Sequence, residues 1–261
     1  MSGPPVLIEH IDNVCVITLN RPAQRNAVDR PTADAMRKAF EDFDNNPALH
    51  VAILTGAGGN FCAGADLSAL GDPQRRNEID AQGSGPGPMG PTRLAMSKPV
   101  VAAVSGYAVA GGLELAVWCD MRVMERSAIF GVFCRRWGVP LIDGGTVRLP
   151  RLIGQSHAMD MILTGRPVGA EEALAMGLAN RVVDDGQALT AAMTLAKQIA
   201  TFPQACLRAD RLSALQQWEH PVAEALRLEG KGGYPVVFEE ALQGAERFRQ
   251  GEGRHGHFEH E

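Results

Sequence analysis

The sequence predicts an α/β fold with a helical region at its C-terminal end. Three observations lead there. Short β-branched runs alternate with helical apolar spacing through most of the chain. Glycine-rich turns follow two of the buried runs. From Gln204 onward only helical spacing remains, so residues 1–200 read as the core and residues 201–261 as a helical appendage.

The elements follow in order. Val6–Ile8 and Val14–Leu19 read as a hairpin closed by His10-Ile11-Asp12-Asn13. Asn20-Arg21-Pro22 ends the second strand. Arg30–Asp44 has Ala33, Met36, Phe40 and Phe43 at helical spacing, with Pro31 in the first turn. Val51–Thr55 is a buried-strand run, and Gly56-Ala57-Gly58-Gly59 follows it. Pro99–Val104 is another, with Gly106 behind it and a helix starting near Gly111. Further helices are predicted over Pro150–Ile162, Val168–Met176, Ala188–Ile199, Val222–Leu228 and Phe238–Phe248. Gly71–Pro91 is rich in glycine, proline and polar residues and reads as a mobile surface loop. The tail Gly251–Glu261 is polar and is expected to fray. No repeat of fixed period is visible.

The composition narrows the function. The chain has 261 residues, 45% of them hydrophobic and 21% charged, enough for a substantial core. Its net charge of -5 argues against a general nucleic-acid binder but leaves room for a local basic pocket. The five cysteines, Cys15, Cys62, Cys119, Cys134 and Cys206, are scattered without a CxxC pair. That argues against a disulfide framework or a structural zinc, and for reduced thiols in the cytoplasm. His255, His257 and His260 sit in the polar tail, which favours a solvated terminus over a metal site. The opening MSGPPVLIEHIDN has no basic start and apolar run, so no signal peptide is expected. Val100–Val117 is broken by Gly106, Gly111, Gly112 and Glu114, too often for a membrane span. Phe61 stands where a dinucleotide fingerprint begun at Gly56 needs its third glycine. No GxSxG elbow occurs.

The chemistry is written in two turns, each behind a buried strand. One is Asn60-Phe61-Cys62-Ala63-Gly64-Ala65-Asp66-Leu67. The other runs from Ser105-Gly106 to Gly111-Gly112-Leu113-Glu114. Small residues there let a ligand approach the backbone and leave N–H groups to point at it. Two such groups aimed at one oxygen form an oxyanion hole, which stabilises a thioester enolate. The second turn adds a helix N-terminus and its positive dipole end.

These motifs resemble the enoyl-CoA hydratase/isomerase (crotonase) family. The resemblance runs from Asn20-Arg21-Pro22 and Asn26-Ala27 through FCAGADL and KPVVAAVSGYAVAGGLELAVWCD. It continues through Phe130-Gly131, Asp143-Gly144-Gly145-Thr146, RLPRLIG and LTGRPV to EALAMGLANRVV, roughly residues 5–205. It implies a spiral of repeated ββα units and a C-terminal helical region that builds trimers, often paired into hexamers. It implies an acyl-CoA substrate, whose coenzyme A belongs to the substrate, and no separate cofactor or metal. By position, Ala65 and Gly111 carry the oxyanion-hole N–H groups. Ala63, Gly64, Asp66 and Leu67 line the CoA wall, and Arg25 and Ala27 touch CoA from the first loop.

The family's hydratases use two glutamates. Glu114 matches the first; at the second this chain has Cys134. A thiol titrates near 8.5 and a glutamate near 4.3, so it is no equal acceptor or proton carrier. The family's double-bond isomerases rely on a carboxylate there too. Cys134 therefore reads either as a small buried hydrophobe or as a reactive thiol, with Arg135 and Arg136 beside it. Two readings of Asp143 stand: a cap for the helix near Gly144, or a replacement acid. Some relatives place an acid one position earlier in that loop. Glu114 in turn reads as a dipole-favoured helix acid or as the reacting group. Trp118 and Trp137 belong to the core or to the acyl pocket. Three activities follow: enoyl-CoA hydration in fatty-acid-type metabolism, another acyl-CoA reaction (isomerisation, decarboxylation or thioester hydrolysis), or acyl-CoA binding without turnover.

Overall fold

A computed structural model describes residues 3–253. They fall into two compact units that divide between Ala200 and Thr201. Residues 254–261, with the tail histidines, lie outside the described residues.

The first unit is built on a six-stranded sheet. β1 (Val6–Ile11) and β2 (Val14–Leu19) form the antiparallel hairpin. Strands β3 (Val51–Gly56), β4 (Val100–Val104), β6 (Met121–Glu125) and β9 (Arg181–Val183) then add in parallel, in the order β1-β2-β3-β4-β6-β9. A smaller sheet joins β5 (Tyr107–Val109), β7 (Ile129–Gly131) and β8 (Pro167–Gly169). The repeated ββα unit is visible twice. β4 and β5 lead into α2 (Gly111–Trp118), and β6 and β7 lead into α3 (Gly145–Thr164).

Strand periodicity decides where the core sits. Val14, Val16, Val51, Ile53, Val101, Ala103 and Val123 face one side, onto Ala188, Ala192, Leu195 and Ala196 of α5 (Ala188–Thr201). Their neighbours Ile17, Leu19, Ala52, Leu54, Ala102 and Val104 face the other side. There they meet α1 (Arg30–Asn45), whose Met36, Ala39, Phe40 and Phe43 are buried. Asp29 caps α1 by accepting from Thr32 N and Thr32 Oγ1. Trp118 packs in this core, edge-on to Phe40 at 4.8 Å, with its indole N–H on Leu94 O.

Two helix expectations shift. α3 begins at Gly145 rather than Pro150 and kinks at Gly154 (φ 75, ψ 158). Only Ala170–Ala175 of Val168–Met176 is helical, as α4, because Val168 pairs with Phe130 across the small sheet. Nor is Gly71–Pro91 wholly a surface loop. Asn77 and Met89 are buried, and Asn77 Nδ2 donates to Pro88 O at 2.7 Å. Arg75 also bonds Asp29 and Asp66, which Arg21 joins.

The second unit is helical: α6 (Gln204–Gln216), α7 (Val222–Val236) and α8 (Leu242–Gln250), with a π-turn at Val237–Ala241. It exposes Trp218, Val222, Leu226, Tyr234, Phe238 and Leu242. Among the described residues no helix is long and apolar enough to cross a membrane.

The second glycine turn tolerates no side chain at Gly112. A Cβ there would lie 2.0 Å from the Cys62 carbonyl oxygen. Gly112→Ala is expected to lower stability by about 2 kcal/mol, read as a lower urea midpoint; an unchanged midpoint would show that the turn relaxes freely.

Candidate active site

Both glycine turns meet at one cavity of about 220 Å³. The first reaches it through a parallel bridge to Val28. Val28 N donates to Gly64 O, and Asp66 N donates to Val28 O. Because extended backbone alternates, the N–H of Ala65 between them points the opposite way. In the second turn Ala110 adopts φ 55, ψ -126, a conformation L-residues avoid, and its N–H bonds Gly131 O. Gly111 follows as the first residue of α2, where an N–H has no intrahelical acceptor. Gly64 (φ 98) lets the turns close: a Cβ on it would sit 3.0 Å from Gly111 N. Ala65 and Gly111 both line the cavity.

Glu114, one turn into α2, is buried and opens onto the same space. Its Oε1 accepts from Asp143 N at 2.9 Å and from Gly145 N at 2.8 Å. Those bonds leave Oε2 uncommitted. Burial, with the Asp143 charge second, pushes the Glu114 carboxyl up to about 7. Asp143 is buried too, which raises its pKa. Its Oδ1 accepts from Met89 N at 2.9 Å and from the Thr92 hydroxyl. Arg148 holds the backbone around it, donating to Asp143 O and Thr92 O. A pair of buried acids beside two unclaimed N–H groups can move a proton next to an oxyanion.

The family model described as enoyl-CoA hydratase/isomerase matches residues 9–259. The chain belongs to the enoyl-CoA hydratase/isomerase family. It is 37% identical to the enoyl-CoA hydratase EchA19 of Mycobacterium tuberculosis over 257 residues, 95% of each chain. It is 38% identical to the mevalonyl-coenzyme A hydratase sidH of Aspergillus fumigatus over 188 residues, covering 72% of this chain and 69% of that one. The crystal structure of an enoyl-CoA hydratase from Mycobacterium tuberculosis H37Rv superposes with a TM-score of 0.89 at 36% identity, covering 95% of this chain and 96% of that one.

The cavity gathers Ala63, Ala65, Leu67, Gly111, Glu114, Cys134 and Asp143. Arg25, Ala27, Gly64 and Asp66 do not line it. Asp66 turns its carboxylate to Arg21, Arg75 and Ser68. Arg25 lies in left-handed backbone (φ 48) with its guanidinium over the Tyr107 ring. Asn26 braces that loop, donating to Ala57 O and Asn60 O.

The capping reading of Asp143 is overturned. No side chain of the Gly144 cap position bonds α3. The Glu114 carboxylate from α2 takes the first N–H instead, while the Asp143 side chain points to Met89 and Thr92. Cys134, in a 3-10 turn over Phe133–Trp137, is buried at the cavity wall. Burial, then the Glu114 charge, raises its thiol pKa; Arg135 only partly opposes this. Arg135 bonds Ile162 O, and Arg136 stacks on Phe133 at 4.0 Å. Trp137 is 70% exposed at the cavity rim, not in the core. Sequence reading missed Asn77, Met89, Thr92 and Arg148, for they reach the site through long-range contacts that leave no local pattern.

The raised Glu114 pKa links stability to pH. Its folded value lies above the unfolded one, so the contribution is present at low pH and is lost as pH rises through about 7. Glu114→Gln is expected to flatten stability between about pH 4.5 and pH 7. Denaturant unfolding across that range checks it, and slopes equal to wild type would refute it.

Proposed function

We propose that the protein adds water across the 2,3 double bond of a 2-enoyl-CoA thioester, with Glu114 as the acid–base group and Asp143 as its partner in holding the water. The observation that carries this reading is the Glu114 carboxyl, buried with a pKa near 7 beside the Ala65 and Gly111 N–H groups. Membership of the family and the relatives named as hydratases support it.

In this reading the thioester oxygen accepts from Ala65 N and Gly111 N. Water held by Glu114 Oε2 and the free oxygen of Asp143 attacks C3 and gives its proton to Glu114. The double-bond electrons pass into the enolate, whose charge the two N–H groups hold. C2 then takes the proton back from Glu114. No proton is gained or lost, so one cycling carboxyl suffices, and the neutral thiol of Cys134 serves as wall. Asp143 accepts two hydrogen bonds that favour its charged form, as suits an acceptor for water.

Ala63 and Leu67, with Arg25, Ala27, Gly64 and Asp66 in the adjoining loops, are proposed as the CoA wall. The coenzyme A is part of the substrate, and no separate cofactor or metal is invoked. Residues 1–200 hold the acyl-CoA site. Residues 201–261 are proposed as the region for a trimer or paired trimer and a lid, and the exposed apolar side chains described in it, such as Trp218, Leu226 and Phe238, suit such a surface. Buried free thiols such as Cys62 and Cys119 suit the cytoplasm.

Loss of enoyl-thioester absorbance from crotonyl-CoA is the direct test. Wild type is expected to turn over and Glu114→Gln to fall by about 10² or more. Cys134→Ala should stay within about fivefold. Wild type that binds the thioester but never hydrates it would leave acyl-CoA binding as the function.

The rate should also fall on the acid side of about pH 7 as Glu114 protonates. Asp143→Asn keeps the shape and removes a like charge, so that limb should move to lower pH. A pH profile that stays put would separate the two acids.

A further inference from the structure

We infer that Asn77 is a specificity residue that accepts a hydrogen bond from a hydroxyl on the acyl chain, so that hydroxyl-bearing enoyl-CoA thioesters are the substrates of this site. The inference rests on the acyl-CoA reading above and names the substrate class.

Asparagine in a glycine- and proline-rich loop ordinarily stays in water or bonds its own backbone. Asn77 does neither. It is 7% exposed, though the loop residues on both sides of it are exposed. Its one side-chain hydrogen bond runs across the loop, from Nδ2 to Pro88 O at 2.7 Å. That bond also fixes the amide's orientation. A carbonyl oxygen only accepts, so the nitrogen must face Pro88 and Oδ1 must face away. Oδ1 has no hydrogen bond among the described residues, nor is it one of their sealed, unpartnered atoms. It therefore keeps some exposure, and Asn77 is one of the residues that line the cavity with Glu114 and Gly111.

The same loop also supplies Ile79, Pro88 and Met89, which are apolar, and Arg76, its one charged residue at the cavity. An unfilled acceptor in such a wall is a poor neighbour for a hydrocarbon chain. A plain alkyl group would strip its water and return nothing, and a group bearing O–H would restore the bond. A carboxylate has no proton to offer at neutral pH. The matching ligand is a donor, and on an acyl chain the donor is a hydroxyl.

The test compares the purified full chain on matched pairs: 4-hydroxybut-2-enoyl-CoA against crotonyl-CoA, 5-hydroxypent-2-enoyl-CoA against pent-2-enoyl-CoA, and 6-hydroxyhex-2-enoyl-CoA against hex-2-enoyl-CoA. At least one hydroxylated member is expected to exceed its parent about tenfold in kcat/KM, and Asn77→Leu should bring that ratio within about twofold. Asn77→Leu also loses the bond to Pro88. Loop damage of that kind lowers both members together and leaves the ratio intact, so the ratio is the readout. Ratios within twofold throughout in wild type, or a preference that Asn77→Leu leaves unchanged, overturn the inference. The second result includes the case in which Asn77 only helps to hold the attacking water. If no pair is hydrated, calorimetric Kd values for 5-hydroxypentanoyl-CoA and pentanoyl-CoA decide separately. A wild-type preference for the hydroxylated ester that Asn77→Leu abolishes would sustain this inference while hydration falls; equal Kd values would remove both.

Discussion

One oxygen of Glu114 accepts the N–H groups of Asp143 and Gly145, and much of the site is arranged around that contact. The contact joins α2 to the start of α3 and takes the place of a local cap. It sets where α3 begins, and so where the preceding loop must lie. It also spends one carboxylate oxygen on structure and turns the other toward the cavity. From the same loop, Asp143 accepts from Met89 N and Thr92 and so pins the far end of the glycine-rich loop. Met89 then sits against Gly111, where a Cβ would meet its sulfur at 2.6 Å. Chemistry and framework share the same hydrogen bonds.

That sharing explains the electrostatics. Two backbone N–H groups and a helix N-terminus favour the charged form of Glu114. Burial and a second acid oppose them more strongly, and the carboxyl ends near neutrality. A glutamate poised there gives and takes a proton at comparable expense, which a single acid needs if it is to do both. At Cys134 the same burial works against reactivity, because it raises the thiol and keeps it neutral.

Backbone shape supplies the other half. Ala110 is held in strained backbone, and Gly64 and Gly111 are bare of side chains because their neighbours leave no room. Strain of this kind persists where surrounding bonds over-determine it. Here Ala110 N is tied to Gly131 O, and the opposing turn is tied to Val28.

The sequence by itself determined the α/β class, the two glycine turns, the helical appendage and the family. These are legible because strand alternation, helix spacing and small-residue turns are local patterns. Glu114 and the absence of an acid at Cys134 were marked by the family resemblance, position by position. Sequence reading missed the strands β5 to β9, of which β5, β7, β8 and β9 have three residues each, too few to show periodicity. Only the tertiary structure decided that Asp143 faces Thr92 rather than capping α3, that Trp118 is core and Trp137 is rim, and that Asn77 turns inward from a polar loop. Asp143 and Trp118 meet partners dozens of residues away, and Asn77 bonds Pro88 eleven residues on; a contact across such a separation writes nothing into the neighbouring sequence.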